Sequence, residues 1–328
     1  MSHPYLIGVD LGGTNTVFGI VDDNGNIVCE NSIKTQAYPD IHDFVDACVE
    51  CVNPLIAQVG GPQQIGGMGI GAPNACYYTG SIEEAPNLPW KGKVPLAQLL
   101  SERLGMKVVM TNDANAAAMG EMAYGAARGM KHFVVITLGT GVGSGIVIDG
   151  RLVYGSDGFA GELGHMTVDN SPTARQCGCG RRGCLETYCS ARGIVRTAKE
   201  LSSKVKGQWS MDNGQSSMVN GQWSMANEQL TALDIFKAAK QGDAVAIETF
   251  SRTGEILGAA CANITTFCSP EAYIFFGGPM HSHEFILPTL IETYNRQVMP
   301  IYRNRCRFLL SELMDRNAAV LGAAALCH

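Results

Sequence analysis

Two strand-loop-strand patterns, far apart in the chain, restrict this sequence to a narrow set of folds. Residues 4–9 and 16–21 are apolar, strand-like runs flanking Asp10-Leu11-Gly12-Gly13-Thr14, and residues 132–138 and 142–148 flank Gly139-Thr140-Gly141 in the same way. The architecture repeats with little identity between the copies, the pattern of two similar halves that carry equivalent loops. After the first copy a strand at 27–33 follows a turn at Asp23-Asn24-Gly25. Helical patterns then lie near 41–58, near 95–104 and from about 114, with strands near 65–70 and 107–110. After the second copy, helical patterns near 188–204, 231–241, 243–267 and 284–299 accompany strands near 271–276 and 306–310, and an Ala-rich helix lies at 317–326. Two α/β halves facing one cleft are the expected result. With 328 residues and 46% hydrophobic content, the chain is long enough for two domains and a sizeable core.

Both loops have the make-up of phosphate binders. In Asp10-Leu11-Gly12-Gly13-Thr14-Asn15 the glycines lack a Cβ, so backbone N–H groups can approach phosphate oxygens, and Asp10 can hold Mg2+ directly or through water. Gly139-Thr140-Gly141-Val142-Gly143-Ser144-Gly145 is the counterpart. It is not a dinucleotide fingerprint, because Ser144 stands where a third glycine would fall. Gly277-Gly278, after the strand-like Tyr273-Ile274-Phe275-Phe276, is a third candidate, where small residues let an adenosine lie against the backbone. Taken singly, each of these is equally an ordinary glycine turn.

Between the two loops, Thr111-Asn112-Asp113-Ala114-Asn115-Ala116 sets a lone carboxylate where an apolar run meets an Ala-rich helical one. Strand ends that meet helix starts are where α/β proteins keep their chemistry. An isolated Asp113 would read as a helix cap. Set between two phosphate-type loops, it reads as the candidate base of a phosphoryl-transfer site.

Cys177, Cys179 and Cys184 place three thiols within eight residues, and His165 lies twelve residues before the first of them. Four N/S ligands suit tetrahedral Zn2+, and four protein ligands make the site closed and structural. Its expected task is to fix the loop carrying Glu162, His165 and Glu186, the last of these two residues beyond the final cysteine. Cys48 and Cys51 lie in a helix-like pattern and are expected to pack. The remaining thiols are scattered through apolar segments and read as reduced.

A formal charge of -6, with no Lys/Arg cluster longer than Arg181-Arg182, supplies no basic field for nucleic acid. The N-terminal residues do not read as a secretory signal, and no apolar run reaches membrane-spanning length, so cytoplasmic residence without membrane contact is expected. Gly207-Gln208-Trp209-Ser210-Met211 recurs as Gly221-Gln222-Trp223-Ser224-Met225 in a stretch rich in Gly, Ser, Asn and Gln, and residues 206–229 are expected to be a surface insertion.

At this point the chain resembles the ROK family (repressors, open reading frames and sugar kinases), in particular its bacterial glucokinase-like members. The resemblance runs nearly end to end and rests on Asp10-Leu11-Gly12-Gly13-Thr14, Gly71-Ala72-Pro73, Asn87-Leu88-Pro89-Trp90 and Asn112-Asp113-Ala114-Asn115. It rests equally on Leu138-Gly139-Thr140-Gly141-Val142-Gly143, Glu162-Leu163-Gly164-His165 and the segment from Cys177 to Glu186. It implies a two-domain, actin-like (ribonuclease-H-like) ATPase fold, with a sugar in the interdomain cleft and ATP-Mg2+ beside it. The expected division is residues 1–117 plus 305–328 against 118–304. The resemblance further implies phosphorylation of the 6-hydroxyl of a hexose, D-glucose first, with Asp113 as general base. Gly71, Asn87, Asn112, Asp113, Glu162, His165 and Glu186 would line the sugar, and His165 would also ligate zinc. Assembly as a homodimer or higher homo-oligomer is expected. A kinase for N-acetylmannosamine, N-acetylglucosamine, fructose or allose is the alternative enzyme, and a non-catalytic sugar sensor the alternative class. Family repressors carry a winged helix-turn-helix before the first phosphate loop, and only nine residues precede Asp10 here, so the kinase reading is favoured.

Overall fold

Two largely buried apolar runs and a more exposed third, joined by short polar turns, make the first three strands a meander. β1 (Tyr5–Leu11), β2 (Asn15–Asp22) and β3 (Ile27–Lys34) pair antiparallel in sequence order. Asp22 closes the second turn by accepting the N–H groups of Asn24 and Asn26 at 3.0 and 2.7 Å. The structure is a computed structural model that describes residues 3–204, 230–314 and 316–327. The insertion expected at 206–229 thus lies outside the described residues.

Helix α1 (Ile41–Gln58) starts at Asp40, whose side chain accepts from the N–H groups of His42 and Asp43. It buries Phe44, Val45, Cys48, Cys51, Val52 and Leu55 against the first sheet, so Cys48 and Cys51 pack as expected. β4 (Ile65–Gly71) then joins β1 in parallel. A small three-stranded sheet follows, of β5 (Ala75–Cys76), β6 (Ser81–Glu83) and β7 (Lys93–Val94). α2 (Leu96–Leu104) ends at Gly105 in the left-handed conformation, φ 66°. It leads to β8 (Val108–Thr111) and α3 (Asp113–Tyr124). The first sheet has the order β3-β2-β1-β4-β8, with β1, β4 and β8 parallel.

The second half repeats the theme. β9 (Phe133–Leu138), β10 (Val142–Ile148) and the short β11 (Arg151–Leu152) are followed by α4 (Glu186–Cys189), α5 (Ala191–Lys204), α6 (Ala232–Lys240) and α7 (Ala244–Cys268). Then come β12 (Ala272–Phe276), α8 (His283–Gln297), β13 (Arg307–Leu310) and α9 (Ala318–Ala324). The second sheet has the order β11-β10-β9-β12-β13. α7 and α8 pack closely because Gly254 and Gly258 leave room for the α8 backbone at Ile286 and Leu290. Among the described residues no helix is long and apolar enough to cross a membrane.

The chain forms two compact units. One holds the residues up to Val135, Ser144–Gly161 and the stretch from Ser311 on; the other holds Ile136–Gly143 and Glu162–Leu310. This partition differs from the expected 1–117 plus 305–328 against 118–304. The whole of α3 stays with the first unit because it packs on α9, with Gly120 set against Gly322. Residues 307–310 stay with the second because β13 pairs with β12.

Candidate active site

In the first unit, pairing sets Asp10 opposite Gly71 and Gly71 opposite Thr111, so β1, β4 and β8 finish side by side. Ligands in α/β sheets sit beyond such carboxyl ends. Asn112 is the cap of α3, its side-chain oxygen accepting from the Ala114 N–H at 2.8 Å. Asp113 is the first helical residue and accepts from the same N–H at 2.8 Å, so the cap reading belongs to its neighbour. Gly71 eases this approach: a Cβ there would crowd the Ala116 Cβ at 3.2 Å and lie in contact with the Asp113 Cα at 3.7 Å.

The Asp113 side chain is open to solvent, although protein atoms crowd it on its inner side. That burial raises its carboxyl above the usual range, and the Ala114 N–H offsets part of the effect. Asp10 is pushed up to about 6, first by burial and then by the neighbouring charge of Asp113. Two mutually repelling carboxyls are a donor set that a hard divalent cation relieves, so Asp10 fits Mg2+.

Beyond Asp10, Gly12 turns the chain by donating its N–H to the Asn15 carbonyl at 3.0 Å. Thr14 is exposed at the tip. The loop is fastened from outside by residues that the sequence did not flag. The Thr35 hydroxyl donates to the Gly12 carbonyl at 2.8 Å, and the Gln36 amide donates to the Gly13 carbonyl at 2.6 Å. Polar residues after a strand resemble any loop, so nothing in the sequence singles them out. Asn87 is exposed on a segment held from beneath by Leu88 and Trp90. The Trp90 indole N–H donates to the Tyr38 carbonyl at 3.1 Å, and its ring lies 4.5 Å from that of Phe44.

The second unit carries the remaining candidates. Its glycine loop turns through the Gly139 N–H donating to the Gly141 carbonyl at 2.9 Å, with Thr140 exposed at the tip and Gly143 half-buried at the start of β10. Gly277, at φ 107°, has no room for a Cβ because the Leu138 carbonyl occupies that position, while Gly278 faces open space. A Cβ on Gly141 would come within 2.8 Å of the Glu186 carboxylate, so Glu186 sits directly against this loop. Glu162 is exposed at the start of the short 3-10 turn Leu163–His165, which rests on β10 through Gly164.

His165, Cys177, Cys179 and Cys184 converge as expected, all four ligand atoms lying within 4.8 Å of one another. Cys177 Sγ is 3.7 Å from His165 Nδ1, and Cys179 Sγ is 3.7 Å from Cys184 Sγ. Thiolates on a tetrahedral zinc, each about 2.3 Å from the metal, stand roughly 3.8 Å apart, so the donor set fits that ion. Every cysteine of the chain is a free thiol. Glu186 touches this cluster too, with its Oε1 accepting from Cys177 Sγ at 3.0 Å. Behind the loop, buried Arg175 donates to the Thr187 and Gly193 carbonyls at 2.7 and 3.1 Å and to Thr197 Oγ1 at 2.8 Å. It ties the cysteine loop to α5.

The family model described as ROK family matches residues 6–328. The chain belongs to the ROK family. It is 35% identical over 322 residues to a glucokinase from Thermotoga maritima, which spans 98% of this chain and 96% of that relative. It is similar to the crystal structure of a ROK family glucokinase from Streptomyces griseus in complex with glucose and AMPPNP, with a TM-score of 0.75, 33% identity and 98% of each chain covered. The ROK hexokinase from Thermus thermophilus matches with a TM-score of 0.78 and 26% identity, over 98% of this chain and 97% of that one. The paired α/β halves of this ROK chain are those of the actin-like ATPase fold, as the sequence led one to expect.

Proposed function

We propose that this ROK protein is an ATP-dependent hexokinase that transfers a phosphoryl group to the 6-hydroxyl of a hexose, D-glucose first, with Asp113 as general base. The observation that carries the reading is the position of Asp113. It begins a helix at the row of strand ends, beside Asp10 and at the glycine-lined approach of Gly71. ATP bound with Mg2+ supplies the phosphoryl group and a cation that shields its charge.

The rest is done by the chain's own groups. A sugar hydroxyl is a weak nucleophile at neutral pH, so a carboxylate must take its proton as the bond to phosphorus forms. Asp113 serves, and its open face leaves a carboxylate oxygen for that proton. Backbone N–H groups of Gly13 and Thr14, and of Thr140, Gly141 and Gly143, bind phosphate oxygens, while Gly12 and Gly139 use theirs to close the two loop turns. Gly277 and Gly278 lie against the adenosine. Asn87, Asn112, Glu162, His165 and Glu186 offer acceptors and donors to hydroxyls that do both. His165 turns Nδ1 to the thiols, which leaves Nε2 for a hydroxyl. Zn2+ on His165, Cys177, Cys179 and Cys184 is structural and holds Glu186 in register. The identity to glucokinases supports glucose among hexoses.

A coupled assay with ATP-Mg2+ over a panel of hexoses and N-acetylhexosamines tests the proposal. D-glucose should show the highest kcat/KM, and Asp113→Asn should lower kcat by on the order of 100- to 10,000-fold while still binding sugar. Wild-type kcat in the Asn variant would remove Asp113 from its role. Equal turnover of an N-acetylhexosamine would overturn the glucose assignment.

A further inference from the structure

We infer that Thr35 and Gln36 form a bridge that makes sugar and nucleotide binding cooperative. The inference rests on the reading of Gly12–Thr14 as a phosphate loop and of Asn87 as a sugar ligand. The four residues Thr35–Tyr38 directly follow β3 and touch both elements. On the loop side, Thr35 donates its hydroxyl to the Gly12 carbonyl at 2.8 Å and its N–H to the Thr14 carbonyl at 3.0 Å. The Thr35 side chain is buried and is itself 2.9 Å from the Thr16 hydroxyl at the start of β2. On the sugar side, the Tyr38 carbonyl accepts from the Trp90 indole at 3.1 Å. Gln36 reaches both elements with a single nitrogen, donating to the Gly13 carbonyl at 2.6 Å and to the Asn87 carbonyl at 3.0 Å.

The two elements are also in direct contact. A Cβ on Gly13 would stand 3.0 Å from the Asn87 carbonyl oxygen and 3.2 Å from the Asn87 Cβ. Only a residue without a Cβ lets the loop lie this close to Asn87, and Asn87 cannot shift without moving the carbonyl that Gln36 grips. An amide with two hydrogens is suited to this task, since each can point at one carbonyl. When a nucleotide phosphate orders the loop, the Gln36 amide and the Thr35 hydroxyl are ordered with it, and Asn87 is then presented to the sugar already fixed. Each ligand removes part of the ordering cost of the other, and thermodynamic linkage makes the effect reciprocal. Gln36 and Thr35 are positioning residues and touch neither ligand in this account.

The test is isothermal titration of D-glucose into the full chain with and without saturating AMPPNP-Mg2+, for wild type, Gln36→Leu, Gln36→Glu, Thr35→Val and Asn87→Ala. The quantity read is the ratio of the two glucose affinities, in which a general loss of structure cancels. Wild type should show at least about fivefold tightening, the low end of ordinary coupling. Gln36→Leu and Gln36→Glu should bring the ratio below about twofold, since neither can donate to two carbonyls, and Thr35→Val should lower it in part. An unchanged ratio in both Gln36 variants, alongside an Asn87→Ala variant that has lost glucose affinity, overturns the bridge and leaves the sugar reading standing. No coupling in wild type also overturns it. If Asn87→Ala binds glucose as wild type does, the underlying reading of Asn87 fails and the bridge fails with it.

Discussion

Burial, and after it the neighbouring charge of Asp113, raises the Asp10 carboxyl at the strand ends, and this sets a pH dependence of stability. Asp10 titrates near 6 in the folded chain, against a value of 3.8 for an unperturbed aspartate. The folded state therefore binds more protons than the unfolded one between these values, and stability falls as pH rises through that window. Above the folded value the penalty is constant; below the unfolded value it vanishes. Asp10→Asn should accordingly stabilise the metal-free protein by on the order of 1 kcal/mol at pH 7.5, and the gain should disappear near pH 4. Chemical denaturation at the two pH values measures this directly. The same variant should lose most ATP-Mg2+ turnover, since an amide is a poor partner for a hard cation. A variant that is less stable than wild type at pH 7.5 would show that burial and repulsion do not govern Asp10. Asp113 was legible from its place between two glycine loops, and Asp10 from the loop it opens. Thr35 and Gln36 were not, because their part depends on carbonyls of Gly12, Gly13 and Asn87 that no local pattern brings near them.

The loop from His165 to Glu186 owes its form to tight turns and polar ties more than to an apolar core. Gly183, at φ 74°, has the Asp169 carbonyl where a Cβ would stand, and Tyr188 reaches back to Asp169 at 2.5 Å. Metal should complete the loop. Elemental analysis is expected to find about one zinc per chain, and Cys179→Ser or chelation should lower glucose phosphorylation at least about tenfold, with amide protection lost from Thr167 to Cys189. Full activity and unchanged protection in a metal-free preparation would defeat this. The ligand set was readable because thiols at short spacing with a preceding histidine leave few other uses. The longer elements were readable for a similar reason: α1 and α7 carry many turns of one periodicity, and observed bounds lie within a few residues of the expected ones. The strands β5, β6, β7 and β11 escaped notice because two or three residues carry no period. They are fixed by register with partners, as when Ile82 lies between Ala75 and Val94.

The end of the chain returns to finish the unit with which it began. Helix α9 packs on β1, β4 and α3, and it can do so only because glycines face it. A Cβ on Gly8 would run into the Val320 carbonyl, one on Gly69 into the Ala323 carbonyl, and one on Gly322 into the Ala116 carbonyl. Buried Glu121 of α3 adds a polar tie, since it accepts from the Ser311 hydroxyl and, at 2.8 Å, from the Ala126 N–H. Neither Gly8 nor Gly69 has a positive φ, so alanine is acceptable to the backbone at both places and only the approach of α9 forbids it. On unfolded-chain entropy alone, Gly69→Ala should stabilise by about 0.4–1 kcal/mol. Displacement of α9 should outweigh that, at about 1–3 kcal/mol or somewhat more, because carbonyl oxygens of a helix cannot turn aside as a side-chain tip would. For a unit of this size the net change is a fall in Tm of roughly 2–8 °C. Thermal denaturation of Gly69→Ala, with hydrogen exchange read at β1, β4 and α9, distinguishes the two effects, and a Tm equal to or above wild type would mean that the close seam does not hold α9 in place.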